Sequence, residues 1–215
     1  MPDTTRRLIG PAVAAAALAA ATAVVLGVAA PPGPAPAADF GAAPSAPAAA
    51  VAGVPGTTGP GDGTGRQAPP ERVRVPGIGL DARVEGVGVT GQGAMTVPDD
   101  PSVAGWYRYG PAPGSPRGSA VLVGHVDNDT GDLGEFAALY EVRRGDTVEV
   151  RRAEAGPAVY RVVSRTTVPK DELPSSVFRR TGAPVLTLIT CAPPFDPERG
   201  GYLANLVVTA EPVEE

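Results

Sequence analysis

Cysteine, histidine and lysine each occur once in this 215-residue chain, as Cys191, His125 and Lys170. A lone cysteine excludes an intramolecular disulfide framework, and one cysteine with one histidine leaves no ligand cluster for structural zinc. Aromatic residues make up only 5% of the chain and the formal net charge is −5. No basic stretch interleaved with aromatics is present, which argues against nucleic-acid binding.

Long apolar runs are also scarce. The one exception is the uncharged stretch from Leu8 to Ala30, preceded by Arg6 and Arg7. At about 1.5 Å per helical residue it is long enough to cross a ~30 Å hydrocarbon core. The two arginines favour a cytoplasmic N-terminus. Residues 1–30 are therefore expected to be a signal anchor, with a cleaved signal peptide as the alternative. From 31 to 70 the chain is dominated by proline, alanine and glycine, with Asp39 and Phe40 as brief exceptions. Such a segment buries too little apolar surface to order itself, so a disordered tether is expected.

The character changes near Glu71. Short apolar segments alternate with Gly/Pro turns, the pattern of a β domain. Strands are expected over 72–75, 82–89, 94–96, 119–124, 147–152, 158–167, 185–190 and 203–210, with short helical turns over 133–139 and 173–177. About eight strands with so little helix favour an all-β barrel over an α/β sheet. A domain spanning 71–215 is long enough for one core.

Two motifs carry little weight. Gly86, Gly88 and Gly91 match the dinucleotide-binding glycine pattern, but a turn and a strand are expected to follow where that pattern requires a helix. Asp127, Asp129, Asp132 and Glu135 suggest a calcium loop only loosely, because Gly131 stands where its fifth ligand should be. A solvated loop is the expectation there.

His125 and Cys191 carry the chemistry. Each ends a strongly apolar run, SAVLVG before His125 and VLTLIT before Cys191, and each is followed by loop residues. Strand ends running into loops are where a rigid scaffold presents reactive groups. A free thiol paired with one imidazole suggests a thiolate nucleophile and a proton carrier. A buried structural cysteine is the simpler alternative.

The runs GHVDN, TLITC and GYLANLVVTA together resemble the sortases, the membrane-tethered cysteine transpeptidases of Gram-positive bacteria, and within them the actinobacterial class E/F branch. The likeness spans roughly 72–210. It implies a sortase-type closed β-barrel, with Cys191 attacking a sorting signal of the Leu-Pro-x-Thr-Gly kind and His125 moving the proton. The acyl group would pass to an amine of a peptidoglycan precursor or a pilin, with the domain on the outer side of the membrane. No metal or organic cofactor is implied. The family also requires an arginine. Here a glycine, Gly200, stands where it is expected, and Arg199, the only arginine after Cys191, is assigned the role, with Arg108 as the alternative. Thr190 is expected to support the oxyanion or substrate. Two rival functions are a non-catalytic wall-binding or assembly module and an L,D-transpeptidase, whose Ser-x-Gly-Cys context the TLITC run does not match.

Overall fold

The computed structural model describes residues 38–42 and 68–213. The expected anchor over 1–30 and most of the expected tether lie outside the described residues. Among the described residues no helix is long and apolar enough to cross a membrane.

Eight strands form the fold: β1 (Pro70–Val75), β2 (Leu80–Val87), β3 (Val103–Tyr107), β4 (Ser119–Val123), β5 (Thr147–Arg152), β6 (Ala155–Pro169), β7 (Val185–Asp196) and β8 (Gly201–Pro212). They close into a barrel in the order β1-β2-β3-β4-β7-β8-β6-β5. The all-β barrel expected from the sequence is thus the observed architecture. Most neighbours are antiparallel, but β2 pairs with β3 and β4 pairs with β7 in parallel.

Alternation sets which side chains face inward. In β1, Val73 and Val75 are buried while Arg72 and Arg74 turn outward, and in β5 Val148 and Val150 repeat the pattern. These residues join Leu80, Leu122, Leu186, Leu188, Leu206 and Val208 in one core. Phe136 and Leu139, from a 3₁₀ turn over Glu135–Glu141, pack into the same cluster. Strand β4 is buried along its whole length. Its Leu122 faces the core, while Val121 and Val123 pack on Ile189 and Val177 with Phe178 and Leu173 alongside. A strand covered on both faces reads as an unbroken apolar run, as 119–123 does.

Four differences from the sequence expectation are informative. No strand forms over 94–96; Met95 makes only an isolated bridge to Val89. The third strand is instead β3, which carries a glycine at its centre and lacks the β-branched density that marks strands. Strand β7 does not stop at Thr190. It continues through Cys191 to Asp196, with Pro193 and Pro194 taken up at a register irregularity between Ala192 and Phe195. Prolines within a sheet are confined to such places. Finally, part of the segment expected to be disordered is docked on the barrel: Phe40 and Arg165 of β6 exchange backbone hydrogen bonds of 2.9 Å. Arg165, buried at 2% exposure, donates to the carbonyls of Ala38, Tyr140 and Val142, and lies 5.3 Å from the Phe40 ring. Asp39 accepts from the Thr167 amide at 2.8 Å.

Candidate active site

The parallel β4–β7 ladder builds the site. Its register runs Ser119↔Val185 through Val123↔Ile189, and it persists one step further, the Gly124 amide donating to the Ile189 carbonyl at 3.1 Å. Continuing the register sets Gly124 beside Thr190 and His125 beside Cys191. Adjacent strands lie about 5 Å apart, so two residues remote in the chain become neighbours through strand pairing alone.

Thr190 ties this joint together. Its hydroxyl, buried at 2% exposure, donates to the Gly124 carbonyl at 2.9 Å. A threonine hydroxyl has a single hydrogen, and here it is spent on the carbonyl just ahead of His125. The Thr190 hydroxyl expected near the oxyanion is thus engaged with this carbonyl, where it ties β7 to the residue preceding His125. Gly124 is required by space, because a Cβ there would sit 2.5 Å from the Phe136 ring.

The half-buried His125 has its Nε2 2.7 Å from the Pro98 carbonyl. A carbonyl only accepts, so Nε2 is the ring nitrogen that donates there, and Nδ1 is left outside that bond. Cys191 is also half-buried and free. Its own carbonyl accepts from the Tyr140 hydroxyl at 3.0 Å. Burial, with a smaller contribution from Cys191, pushes the Tyr140 phenol above its ordinary value. Two residues beyond His125, Asp127 accepts a hydrogen bond of 2.5 Å from Tyr202 at the start of β8. That bond is the first cause of the rise in the Tyr202 phenol to about 12. Tyr202 also stacks edge-to-face on Phe195 at 5.0 Å. Pro98, Tyr140 and Tyr202 were not singled out in the sequence, where no local pattern marks a residue that acts through tertiary contact.

Two open clefts meet at Cys191. One, of about 660 Å³, is bordered by His125, Asp127, Asn128, Asp129, Lys170 and Tyr202 as well as Cys191. The other, of about 510 Å³, is largely apolar, with Met95, Val123, Leu173, Phe178 and Ile189 running up to Cys191 and Asn205. Lys170 borders both. Arg199 borders neither. It ends a 3₁₀ turn over Pro197–Arg199 with its side chain exposed, its backbone amide bonded to Asp196. Arg108 is engaged with Tyr109, donating to its hydroxyl at 3.0 Å and lying 5.1 Å from the ring.

The two discounted motifs resolve locally. After Val87 the glycine motif enters a turn closed by the Val89–Met95 bridge, and no helix follows. In the acidic loop Asn128 accepts from the amides of Thr130 and Asp132, which closes the loop on itself. Among the described residues no group of three or more His, Cys, Asp or Glu is arranged to hold a metal ion.

A thiol and an imidazole that border one cleft of a closed barrel are the parts a cysteine acyl-transfer enzyme needs. The sortase domain model matches residues 73–213. The chain belongs to the sortase family and is a cysteine transpeptidase. Solved structures agree on the fold. Sortase C-1 of Actinomyces oris is 24% identical over 67% of this chain and 73% of its own, with a TM-score of 0.51. The Group B Streptococcus Pilus Island 1 sortase C2 is 24% identical over 66% and 73%, with a TM-score of 0.52. Listeria monocytogenes sortase A is 21% identical over 69% and 88%, with a TM-score of 0.51. No curated protein matches the chain.

Proposed function

We propose that this protein is a membrane-tethered, class E/F-like sortase that cleaves a Leu-Pro-x-Thr-Gly-like sorting signal between Thr and Gly. It transfers the acyl group to an amine of a peptidoglycan precursor or a pilin. The observation that carries this reading is the meeting of two chemically different clefts at Cys191 beside His125. The apolar cleft suits the leucine and proline of such a signal, because a few apolar side chains there remove them from water. The wider cleft places Asp127 and Asp129 near His125, and carboxylates attract an incoming ammonium group.

In the first step the Cys191 thiolate forms a bond to the threonine carbonyl carbon and the carbonyl electrons move onto oxygen. Collapse expels the glycine amine, which takes the proton carried by Nδ1 of His125. The acceptor amine then attacks the thioacyl carbon, returning a proton to His125 and the electron pair to Cys191. The oxyanion needs a positive charge. Arg199, the residue assigned by sequence, delivers it only if the turn folds inward at Gly200 and Gly201, both in left-handed conformations. The domain stands on the outer face of the membrane, carried by residues 1–30.

The test is mass spectrometry of the full-length chain incubated with a Leu-Pro-x-Thr-Gly peptide, with and without an amine acceptor. A thioacyl adduct on Cys191 that the amine resolves is the expected result. No adduct, with Cys191 also inert to iodoacetamide, would refute the enzymatic reading and favour a non-catalytic module.

A further inference from the structure

Lys170 is the only lysine in a chain whose other basic side chains, His125 apart, are all arginine, and among the described residues it is the only cationic side chain, apart from His125, that borders either cleft at Cys191. Strand register explains how it gets there. Cys191 of β7 pairs with Asn205 of β8, and Asn205 pairs in turn with Val168 of β6. Directly opposed residues project to the same face of a sheet, and a step of two along a strand restores that face. Lys170, two residues past Val168 and just beyond the end of β6, borders the same two clefts as Cys191. It opens the 3₁₀ turn Lys170–Glu172. Two strand spacings and two residues of rise set its Cα about 12 Å from that of Cys191, a gap that a flexible four-carbon stem narrows from the edge of the cleft. Its side chain is exposed and enters no ion pair among the described residues. Asn205 lies between the two, bordering the apolar cleft with both of them.

We propose that Lys170 is the cation of this active site: its ammonium donates to the oxygen of the scissile carbonyl as Cys191 attacks. This deepens the transpeptidase reading and rests on it. The step moves no proton from Lys170. The carbonyl electrons come to rest on oxygen beside the ammonium and return when the amine leaves. Lys170 meets the requirement from its position at the junction of the clefts, whereas Arg199 needs the turn to close.

Two readouts on the full-length chain test the assignment. The first needs no substrate: the rate of alkylation of Cys191 by anionic iodoacetate relative to neutral iodoacetamide. A cation beside the thiol favours the anion, so Lys170→Met, which keeps most of the stem, should lower this ratio by about threefold or more. Lys170→Arg should restore it, added salt should shrink the difference, and Arg199→Met should leave it unchanged. An unchanged ratio in Lys170→Met would overturn the proposal. The second readout is thioacyl formation with the sorting peptide, where Lys170→Met should lower kcat/KM by about 10²-fold, the scale of one lost oxyanion donor, while Lys170→Arg retains most of it. A loss below threefold in Lys170→Met, or a full loss carried by Arg199→Met alone, would also overturn it. If wild-type protein forms no adduct while the alkylation ratio still falls in Lys170→Met, the cation stands where proposed, and the failure belongs to the assigned peptide chemistry.

Discussion

Replacing Thr190 by valine removes one hydroxyl and keeps the side-chain shape, so it isolates the bond to the Gly124 carbonyl. That bond is 2.9 Å long, fully buried, and joins β7 to the residue preceding His125. Losing a donor to a buried acceptor costs about 1–3 kcal/mol. For a domain of this size that corresponds to a fall in Tm of roughly 2–10 °C. Function should suffer more than stability. His125 follows Gly124 directly, just beyond the end of β4, so a loosened joint shifts the imidazole relative to the thiol. A displacement of about 1 Å can cost on the order of 10²-fold in rate, and a loss of about tenfold or more in kcat/KM for thioacyl formation is expected. Alkylation of Cys191 by iodoacetamide should stay within about twofold, since the thiol itself is untouched, and Thr190→Ser should recover most of both losses. The assays are differential scanning calorimetry and single-turnover acylation followed by mass spectrometry. A Thr190→Val protein with wild-type Tm and acylation rate would refute the positioning role, as would one in which serine rescues nothing.

Cys191→Ala should abolish thioacyl formation while moving Tm by no more than about 2 °C, because a half-buried thiol contributes little packing; any remaining peptide-dependent transfer would remove Cys191 as nucleophile. Tyr202→Phe tests the bond to Asp127. The folded phenol is raised to about 12, above its ordinary value near 10, so the stability it supplies is complete below about pH 10 and disappears as pH climbs through 12. The wild-type advantage over Tyr202→Phe in urea unfolding should therefore be flat from pH 7 to 10 and vanish by 12, and an advantage that persists at pH 12 would contradict the assignment. Phe40→Ala should lower the unfolding free energy by about 1–2 kcal/mol for the apolar area lost, read as a lower urea midpoint at unchanged slope, because Phe40 packs on the core and covers Arg165. An unchanged midpoint would mean that residues 38–42 rest on β6 without stabilising it.

Much of this protein is legible without coordinates because its signals are local. Short apolar segments set between Gly/Pro turns marked seven of the eight strands, β4 among them as an unbroken apolar run. The isolation of Cys191 and His125 in a chain with one of each pointed to them as the candidate reactive pair, and the flanking TLITC and GHVDN runs pointed to the family that the domain match shows. Local pattern stops short where pairing takes over. Strand β3 lacks β-branched density and is held by its neighbours, and β7 runs on past Cys191 because β8 supplies partners up to Asp196. The docking of Phe40 on β6 and the burial of Arg165 join residues more than 120 positions apart, a contact that no periodicity records. The role of Thr190 and the place of Lys170 are of the same kind. A hydroxyl 66 residues from its acceptor, and a lysine lying one strand beyond the partner of the nucleophile, are set by which strands close the barrel and in what register. Composition supplied the reactive groups, because chemistry belongs to side chains; their arrangement waited on the fold, because distance belongs to the packed chain.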